Sequence, residues 1–198
     1  MPIPVEQIAQ KIEPFLRWAI DSDNMIVKSA KAKYLLTWNR FDLAFKLFYL
    51  CMRNENPKYG EKIYEQHLRS FGLGEIREPG NPNKTSLEDF LGEFRTIYDQ
   101  IECSGFDQNI SIIPLSVDGS IANGAHRLSS AIYQDGDISY IHTKSNSPIY
   151  DYKFFKERNI SADTLDLIAC KFMEYSENTY LAFLVFYSQL VLQFRNRN

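Results

Sequence analysis

Residues 112–132 read IIPLSVDGSIANGAHRLSSAI and carry the local signals of a β-hairpin followed by a helix. The first residues of this stretch are mostly β-branched or apolar and favour a strand. Asp118-Gly119 then favours a tight turn, after which residues 120–122 form a second short strand. Gly124 allows the backbone to change direction, and apolar residues at helical spacing mark the helix that follows. The stretch predicts a small mixed β-sheet with a helix packed against it.

The turn into this helix has the chemistry of a phosphate site. Gly124 precedes a helix N-terminus, which offers free backbone N–H groups and the positive end of the helix dipole to an anion. His126 and Arg127 follow at the helix start, and a guanidinium can hold phosphate oxygens through two hydrogen bonds. The alternative is an ordinary strand-to-helix turn that carries a glycine and a histidine for structural reasons.

The pattern Asp-Gly-x-Ile-x-Asn-Gly-x-His-Arg over residues 118–127 resembles the signature of the ParB/sulfiredoxin-like superfamily. That superfamily includes sulfiredoxins, free-serine kinases and the CTP-binding domain of chromosome-partitioning ParB proteins, and related domains occur among proteins of surface-polysaccharide gene clusters. The resemblance implies ATP or ADP with Mg²⁺ as the cofactor, with CTP as the alternative, and no metal site made of protein ligands alone. It implies that the nucleotide-binding residues of the turn are Asn123, Gly124, Ala125, His126 and Arg127.

Two positions depart from members of this superfamily. Several of its kinases have Asp where this chain has Asn123, and an amide neither accepts a proton as a base nor supplies charge to a metal. Sulfiredoxins place a cysteine directly before the His-Arg pair, where this chain has Ala125. Without that nucleophile, reductase chemistry is not expected.

A second informative stretch runs from residue 72 to residue 91. Its glycines, prolines and asparagines predict an irregular loop over residues 78–83. Thr85 or Ser86 then suits the N-cap of a long helix, and Glu88 and Asp89 suit its first turn.

The same resemblance assigns roles to this loop and helix start. It implies that Lys84, Thr85 and Ser86 contact the nucleotide. It implies a catalytic base at Glu78, or less favourably at Glu75, acting with His126. The structural alternatives are an exposed loop lysine at Lys84 and a plain N-cap at Ser86.

The whole chain is predicted to be an α+β protein and one structural unit. A helical N-terminal extension covers residues 1–72, the ParB/sulfiredoxin-like core covers 73–148, and a helical C-terminal extension covers 149–198. Within the first extension, Arg40 and Lys46 are possible substrate contacts facing the phosphate turn. The alternative for Lys46 is a solvated ion pair with Asp42, four residues before it on a helix.

Composition excludes several classes of protein. The 198 residues carry a net charge of −3 with a pI near 5.7, which argues against a dedicated nucleic-acid binder. Three widely spaced cysteines form no metal-binding pattern and suit a reducing compartment, and the N-terminus does not read as a signal peptide, so a cytoplasmic location is expected. The apolar run over 179–194 is too short and too polar for a membrane span. It is expected to be a buried helix, or a contact for a partner protein or a second copy.

These observations support one main hypothesis and two alternatives. The main hypothesis is a nucleotide-dependent phosphotransferase, a kinase that acts on a small hydroxyl compound such as a sugar or glycan precursor. The first alternative is a ParB-like module in which the nucleotide serves as a conformational switch. The second is an interaction module without catalysis.

Overall fold

The computed structural model describes residues 4–20, 26–78 and 84–176. These residues form a mixed α+β fold. Its strands are β1 (Lys28–Lys31), β2 (Ile113–Leu115) and β3 (Asp137–His142). Its α-helices are α1 (Val5–Ala9), α2 (Asp42–Glu55), α3 (Pro57–Phe71), α4 (Leu87–Ser104), α5 (Ala125–Tyr133), α6 (Tyr152–Lys156) and α7 (Ala162–Tyr175). One 3₁₀-helix, Pro14–Ala19, lies between α1 and β1, and another, Ala32–Leu35, lies between β1 and α2.

The three described strands form one sheet in the order β1-β3-β2. β3 lies in the middle, antiparallel to β1 and parallel to β2, with Pro114 opposite Ile141. α5 is part of the connection between the parallel pair β2 and β3, as parallel strands require. The sheet is therefore small and mixed, as predicted.

The predicted hairpin turn is confirmed, with a shorter second arm than a full strand. Ser116 N–H donates to Ser120 O at 2.8 Å, and Gly119 has φ +83°. Leu115 and Ile121 form a single antiparallel bridge beyond the turn. The second arm ends there because the chain must turn again within three residues to begin α5.

The prediction that residues 1–72 are a helical extension is wrong at residues 28–31. Lys28–Lys31 is a strand, and the long helix of this region begins only at Asp42. The four residues KSAK carry little apolar periodicity of their own, so pairing with β3 decides their conformation. The first part of the extension is not one continuous helix either, because residues 10–13 separate α1 from the 3₁₀-helix that begins at Pro14.

α2 is the central helix of the structure. All of its residues from 42 to 50 are buried. One side packs with α5, α7 and the sheet in the main core, and the other packs with α3 and α4 in a second core that contains Tyr49, Tyr64 and Phe94. A third, smaller core joins the N-terminal segment to the sheet through Ile12, Ile112 and their neighbours. This arrangement brings α3, α4 and α5 together around the predicted phosphate turn.

Gly124 has a conformation and surroundings that exclude larger residues. Its φ is +91°, and an added Cβ would lie 2.6 Å from Cδ1 of Ile113. We expect Gly124→Ala to lower the free energy of unfolding by about 1–3 kcal/mol, because backbone strain and overpacking act together. Gly92→Ala is the matched control: no atom lies within 4 Å of its added Cβ on α4, and we expect a gain of about 0.5–1 kcal/mol. Urea denaturation of both variants tests this, and equal effects would contradict it.

The C-terminal region is helical where it is described. α6 and α7 begin at the side-chain caps Asp151 and Ser161. The apolar run over 179–194 lies outside the described residues. Within the described ranges, every helix is too short or too polar to cross a lipid bilayer.

Candidate functional site

The turn at Gly124 leads directly into α5. Gly124 is the N-cap residue in the left-handed conformation, with φ +91° and ψ +28°. Its N–H donates to Oδ1 of Asn123, and in the described part of the chain no side chain caps the helix. The N–H groups of the first turn of a helix have no intrahelical partner. The N-terminus of α5 therefore keeps its donors for a ligand.

His126 lies in the first turn of α5, between two aromatic rings. Its Nε2 lies 2.6 Å from the hydroxyl of Tyr64, and its ring stacks on Phe94 at 4.5 Å between centroids. Burial, reinforced by the charges of Lys46 and Lys84, lowers the pKa of His126 well below its ordinary value. His126 is therefore neutral at pH 7, and its ring orientation is fixed by Tyr64 and Phe94.

Arg127 is held by a carboxylate from the N-terminal segment. Its Nη2 donates to Oε1 of Glu13 at 2.7 Å, and the arginine side chain is 17 % exposed. An anion that binds at the start of α5 can contact this guanidinium only if Arg127 binds it together with Glu13 or breaks its ion pair with Glu13. In the structure without a ligand, Arg127 is therefore paired with Glu13.

Lys84 is a buried cation at the start of the α4 region. Its Nζ lies 2.7 Å from Glu93 and 3.3 Å from Glu78, and it lies over the ring of Phe90 at 4.3 Å. The N–H of Glu78 also donates to the carbonyl of Lys84 at 3.2 Å, which joins the two ends of the loop 79–83. That loop itself lies outside the described residues. The predicted alternative of an exposed loop lysine is wrong, because the side chain is only 4 % exposed.

α4 joins the two groups of residues that the sequence singled out. Glu93 holds Lys84, and its neighbour Phe94 stacks on His126. Lys84 also lies near enough to His126 to lower its pKa. The structure therefore brings Glu78, Lys84 and the Gly124 turn into one region, although about 40 residues separate them in sequence.

The other residues predicted near the nucleotide have structural partners. Ser86 and Asp89 form a reciprocal capping box: the Ser86 hydroxyl accepts from Asp89 N–H at 3.2 Å, and Asp89 Oδ2 accepts from Ser86 N–H at 2.9 Å. Asp89 also accepts from Thr85 N–H at 3.1 Å. Glu75 is exposed and pairs with Arg77 at 3.4 Å, away from Lys84. Contacts of Thr85 and Ser86 with a nucleotide stay a prediction, and so does the role of Glu75 as the less favoured base.

Arg40 and Lys46 belong to a buried ionic cluster centred on Asp42. The guanidinium of Arg40 holds both carboxylate oxygens of Asp42, at 2.8 and 2.9 Å, and Lys46 Nζ lies 3.2 Å from Oδ2. Burial alone would raise the pKa of Asp42, but the two cations hold it below its ordinary value. The solvated ion pair that the sequence favoured for Asp42 and Lys46 is wrong, because all three side chains are buried.

A histidine that the sequence did not single out completes this cluster. His67 is buried on α3, where its Nε2 lies 3.4 Å from Lys46 Nζ and its ring stacks on Tyr64. Burial, followed by the charge of Lys46, lowers the pKa of His67 well below its ordinary value. A chain of contacts thus runs from Asp42 through Lys46, His67 and Tyr64 to His126, in which the step from His67 to Tyr64 is a ring stack rather than a hydrogen bond. Tyr64 and His67 lie three residues apart on α3, and that spacing along an apolar face was the available signal.

The buried His67 and the partly buried His126 predict a pH dependence of stability. Both have lowered pKa values in the folded state, so the unfolded chain binds more protons as pH falls below about 6.5. We expect the free energy of unfolding to fall between pH 7.5 and 5.5, by up to about 1.4 kcal/mol for each histidine that stays neutral. This window lies above the ordinary range of the carboxylates. Urea denaturation at the two pH values measures the loss.

His67→Gln should reduce this pH-dependent loss by about half, whatever it does to stability at pH 7.5. His142→Gln, at an exposed position of β3, is the control and should leave the loss unchanged. A stability that is independent of pH in the wild type would contradict a neutral histidine at both positions.

A cleft of about 330 Å³ borders the side chain of Arg127. Arg127, Glu13 and Glu93 line it, so it adjoins both the Gly124 turn and the Lys84 cluster. No group of His, Cys, Asp and Glu side chains within the described ranges is arranged to hold a metal ion. Arg127, Glu13 and Glu93 face this accessible space, and Lys84, Glu78 and the neutral imidazole of His126 adjoin those residues outside the lining.

This set of groups suits an anion beside a neutral polar ligand. The helix N-terminus and Arg127 can hold the anion, and the carboxylates can accept hydrogen bonds or a proton from the neighbouring ligand. Comparison with family models, with curated proteins and with solved structures finds no match to this chain, so its function is argued from the site itself.

Proposed function

We propose that this chain is a nucleotide-dependent phosphotransferase that acts on a small hydroxyl compound such as a sugar or glycan precursor. The observation that carries the proposal is the meeting of Glu78 and Lys84 with the Gly124 turn through α4. An acid, a buried lysine and a free helix N-terminus are the parts that phosphoryl transfer needs. The resemblance of residues 118–127 to the ParB/sulfiredoxin-like superfamily points to the same chemistry.

The residues divide into groups with separate tasks. The N–H groups of Ala125 and its neighbours, together with Arg127 and Lys84, bind and neutralise the phosphates of ATP or ADP. His126 is neutral and is held by Tyr64, so it donates or accepts one hydrogen bond at the turn without adding charge. Because Glu13 and Glu93 hold the two cations in the free protein, nucleotide binding requires these side chains to exchange partners.

Glu78 is the proposed base. The acceptor hydroxyl oxygen forms a bond to the terminal phosphorus, the bond from that phosphorus to the leaving nucleotide oxygen breaks, and Glu78 takes the hydroxyl proton. Mg²⁺ supplies charge neutralisation to the phosphates when it is bound. Since the described residues form no metal cluster of their own, we propose that the ion enters with the nucleotide. Free thiols at all three cysteines suit the reducing cytoplasm, where we propose that the protein works.

A second candidate function is a ParB-like switch or an interaction module without catalysis. The observation in its favour is that both cations of the site already have carboxylate partners within the chain. Asn123 also stands where several kinases of the resembling superfamily have an acid. In a switch, the nucleotide would replace Glu13 at Arg127 and so release the N-terminal segment.

The base variant Glu78→Gln separates catalysis from switching. Wild-type protein is incubated with Mg-ATP or Mg-ADP and a panel of sugars and polyols, and phosphorylated products are measured by ³¹P NMR. We expect Glu78→Gln to lower turnover at least about 100-fold while nucleotide affinity stays within about threefold, because a base contributes about 10²–10⁴ to the rate.

The control is Glu65→Gln, which removes a partly exposed carboxylate that pairs with Arg69 on α3. It should leave turnover unchanged. Full turnover in Glu78→Gln would contradict the assignment of the base. Nucleotide binding by the wild type without any phosphorylated product would favour the switch.

A further inference from the structure

The cleft beside Arg127 has a preformed shape. One wall is the segment of residues 10–13, the second is α4, and the third is the loop of residues 105–111. Ile112 N–H donates to the carbonyl of Lys11 at 3.1 Å, which ties the first wall to the end of the third. Ile12 and Ile112 also pack together in the third core. The walls therefore stand in place before any ligand binds.

The charges of the cleft nearly cancel. Its lining contains the cations Lys11 and Arg127 and the anions Glu13, Glu93 and Asp107. Arg127 pairs with Glu13, and Lys84 behind the lining pairs with Glu93. Outside these pairs the lining contains one cation, Lys11, and one anion, Asp107. The cleft therefore has no excess positive charge for a second phosphate or a carboxylate. A neutral ligand fits this balance.

The lining combines hydrogen-bonding groups with apolar surface. Gln10, Gln100 and Ser111 present amide and hydroxyl groups, which both donate and accept, and Glu13 presents a carboxylate, which accepts. Ile97 and Phe106 provide apolar surface between them. Compounds with many hydroxyl groups need this combination, because each hydroxyl both donates and accepts while the C–H faces pack on apolar groups.

We propose that this cleft is the acceptor site and binds a neutral polyhydroxylated compound of about monosaccharide size. The inference rests on the proposed function, since it takes Arg127 as the boundary between the acceptor and the nucleotide phosphates. The volume of about 330 Å³ lies at the lower end of small-ligand sites, which span about 300–1,000 Å³. This volume suits a single sugar unit or polyol.

Glu78 is not among the residues that line the cleft; it adjoins the lining through Lys84, which pairs with both Glu78 and Glu93. The reacting hydroxyl is therefore expected at the Glu93 end of the cleft. Glu13 has a second role here, as acceptor of a ligand hydroxyl when Arg127 turns to phosphate.

Ligand-observed NMR with defined probes tests the proposal. The probes are glucose, N-acetylglucosamine, myo-inositol and glycerol, each with wild-type protein in the presence and absence of Mg-ADP. We expect saturation transfer to at least one probe. Gln100→Trp, which fills the cleft from α4, should weaken that binding at least about tenfold, and Gln100→Ala should weaken it about threefold or more.

The control is Cys103→Trp, which places the same bulk on the same helix at an exposed position outside the cleft lining. It should leave probe binding unchanged. Circular dichroism confirms that each variant is folded. Nucleotide binding is measured separately on every variant, and Gln100→Trp should retain it.

The outcomes separate this inference from the proposed function. If nucleotide binds but no probe does, or if Gln100→Trp and Cys103→Trp bind the probes equally well, the acceptor assignment of the cleft is wrong while the phosphate site stands. If a probe binds in the cleft but no nucleotide binds anywhere, the cleft is a polyol site and the phosphotransferase proposal fails.

Discussion

Replacing Asp42 by asparagine is expected to lower the free energy of unfolding by about 3–5 kcal/mol, because it leaves buried cations without their counter-charge. Arg40 holds both oxygens of Asp42, and Lys46 lies 3.2 Å from one of them. All three side chains are at most 6 % exposed, so water cannot replace the lost carboxylate. The guanidinium also donates to the carbonyl of Ile121, which ties the cluster to the hairpin.

Urea denaturation at pH 7.5 measures this loss. The control is Asp99→Asn, which removes the carboxylate of an ion pair with Arg53 that is comparably short, at 2.9 Å. Because both partners of that pair are substantially exposed, its loss should cost at most about 1 kcal/mol. If Asp42→Asn costs no more than Asp99→Asn, the cluster does not depend on a buried charge at Asp42.

Arg127→Ala is expected to weaken nucleotide binding at least about 100-fold, which corresponds to about 2.7 kcal/mol. The variant removes the guanidinium of Arg127 in the first turn of α5. In the proposed function this group makes the bidentate contact with phosphate. It also leaves Glu13 unpaired at 35 % exposure, which adds a negative charge beside the phosphates. Both effects act against the anion.

Dissociation constants for Mg-ATP, Mg-ADP and Mg-CTP by calorimetry measure the effect of Arg127→Ala. Arg69→Ala removes an arginine that also pairs with a single glutamate, but on the outer face of α3, and should leave affinity unchanged. Glu13→Gln should not weaken nucleotide binding: its affinity should equal or exceed that of the wild type, because Arg127 no longer has to break an ion pair with a carboxylate. Equal affinities of Arg127→Ala and wild type would remove the guanidinium from the site.

Local signals in the sequence were sufficient for the elements around the turn. The Asp118-Gly119 turn is confirmed, and so is the helix after Gly124. Ser86 was expected as an N-cap with Glu88 and Asp89 after it, and α4 begins there with a complete capping box. Each of these features depends on residues within about four positions of one another, so the sequence contains the whole cause.

Features that depend on distant contacts could not be predicted in the same way. Lys28–Lys31 reads as a polar segment, and only the presence of β3, more than 100 residues later, makes it a strand. Asp42 and Lys46 have the spacing of a surface ion pair, and the same spacing serves a buried one. Their burial follows from the packing of α2 between α3, α5 and α7, which no local pattern reveals.

In the candidate site, too, some residues could be predicted from local sequence and others could not. The sequence singled out Lys84, Glu78 and the Gly124 turn, and the structure brings them together. The residues that join them, Glu93 and Phe94, look like any acidic and aromatic pair on a helix. Glu75, the less favoured base, lies on the surface and pairs with Arg77, whereas Glu78 pairs with Lys84.

The most direct test of the phosphate site is an NMR titration of ¹⁵N-labelled wild-type protein with Mg-ATP, Mg-ADP and Mg-CTP. At least one nucleotide should shift the backbone amides of residues 125–128 more than any other group of amides, with further shifts near Lys84. Binding that shifts amides elsewhere and leaves residues 125–128 unchanged would contradict the assignment of the Gly124 turn. The absence of binding by all three nucleotides would contradict the proposed function as a whole.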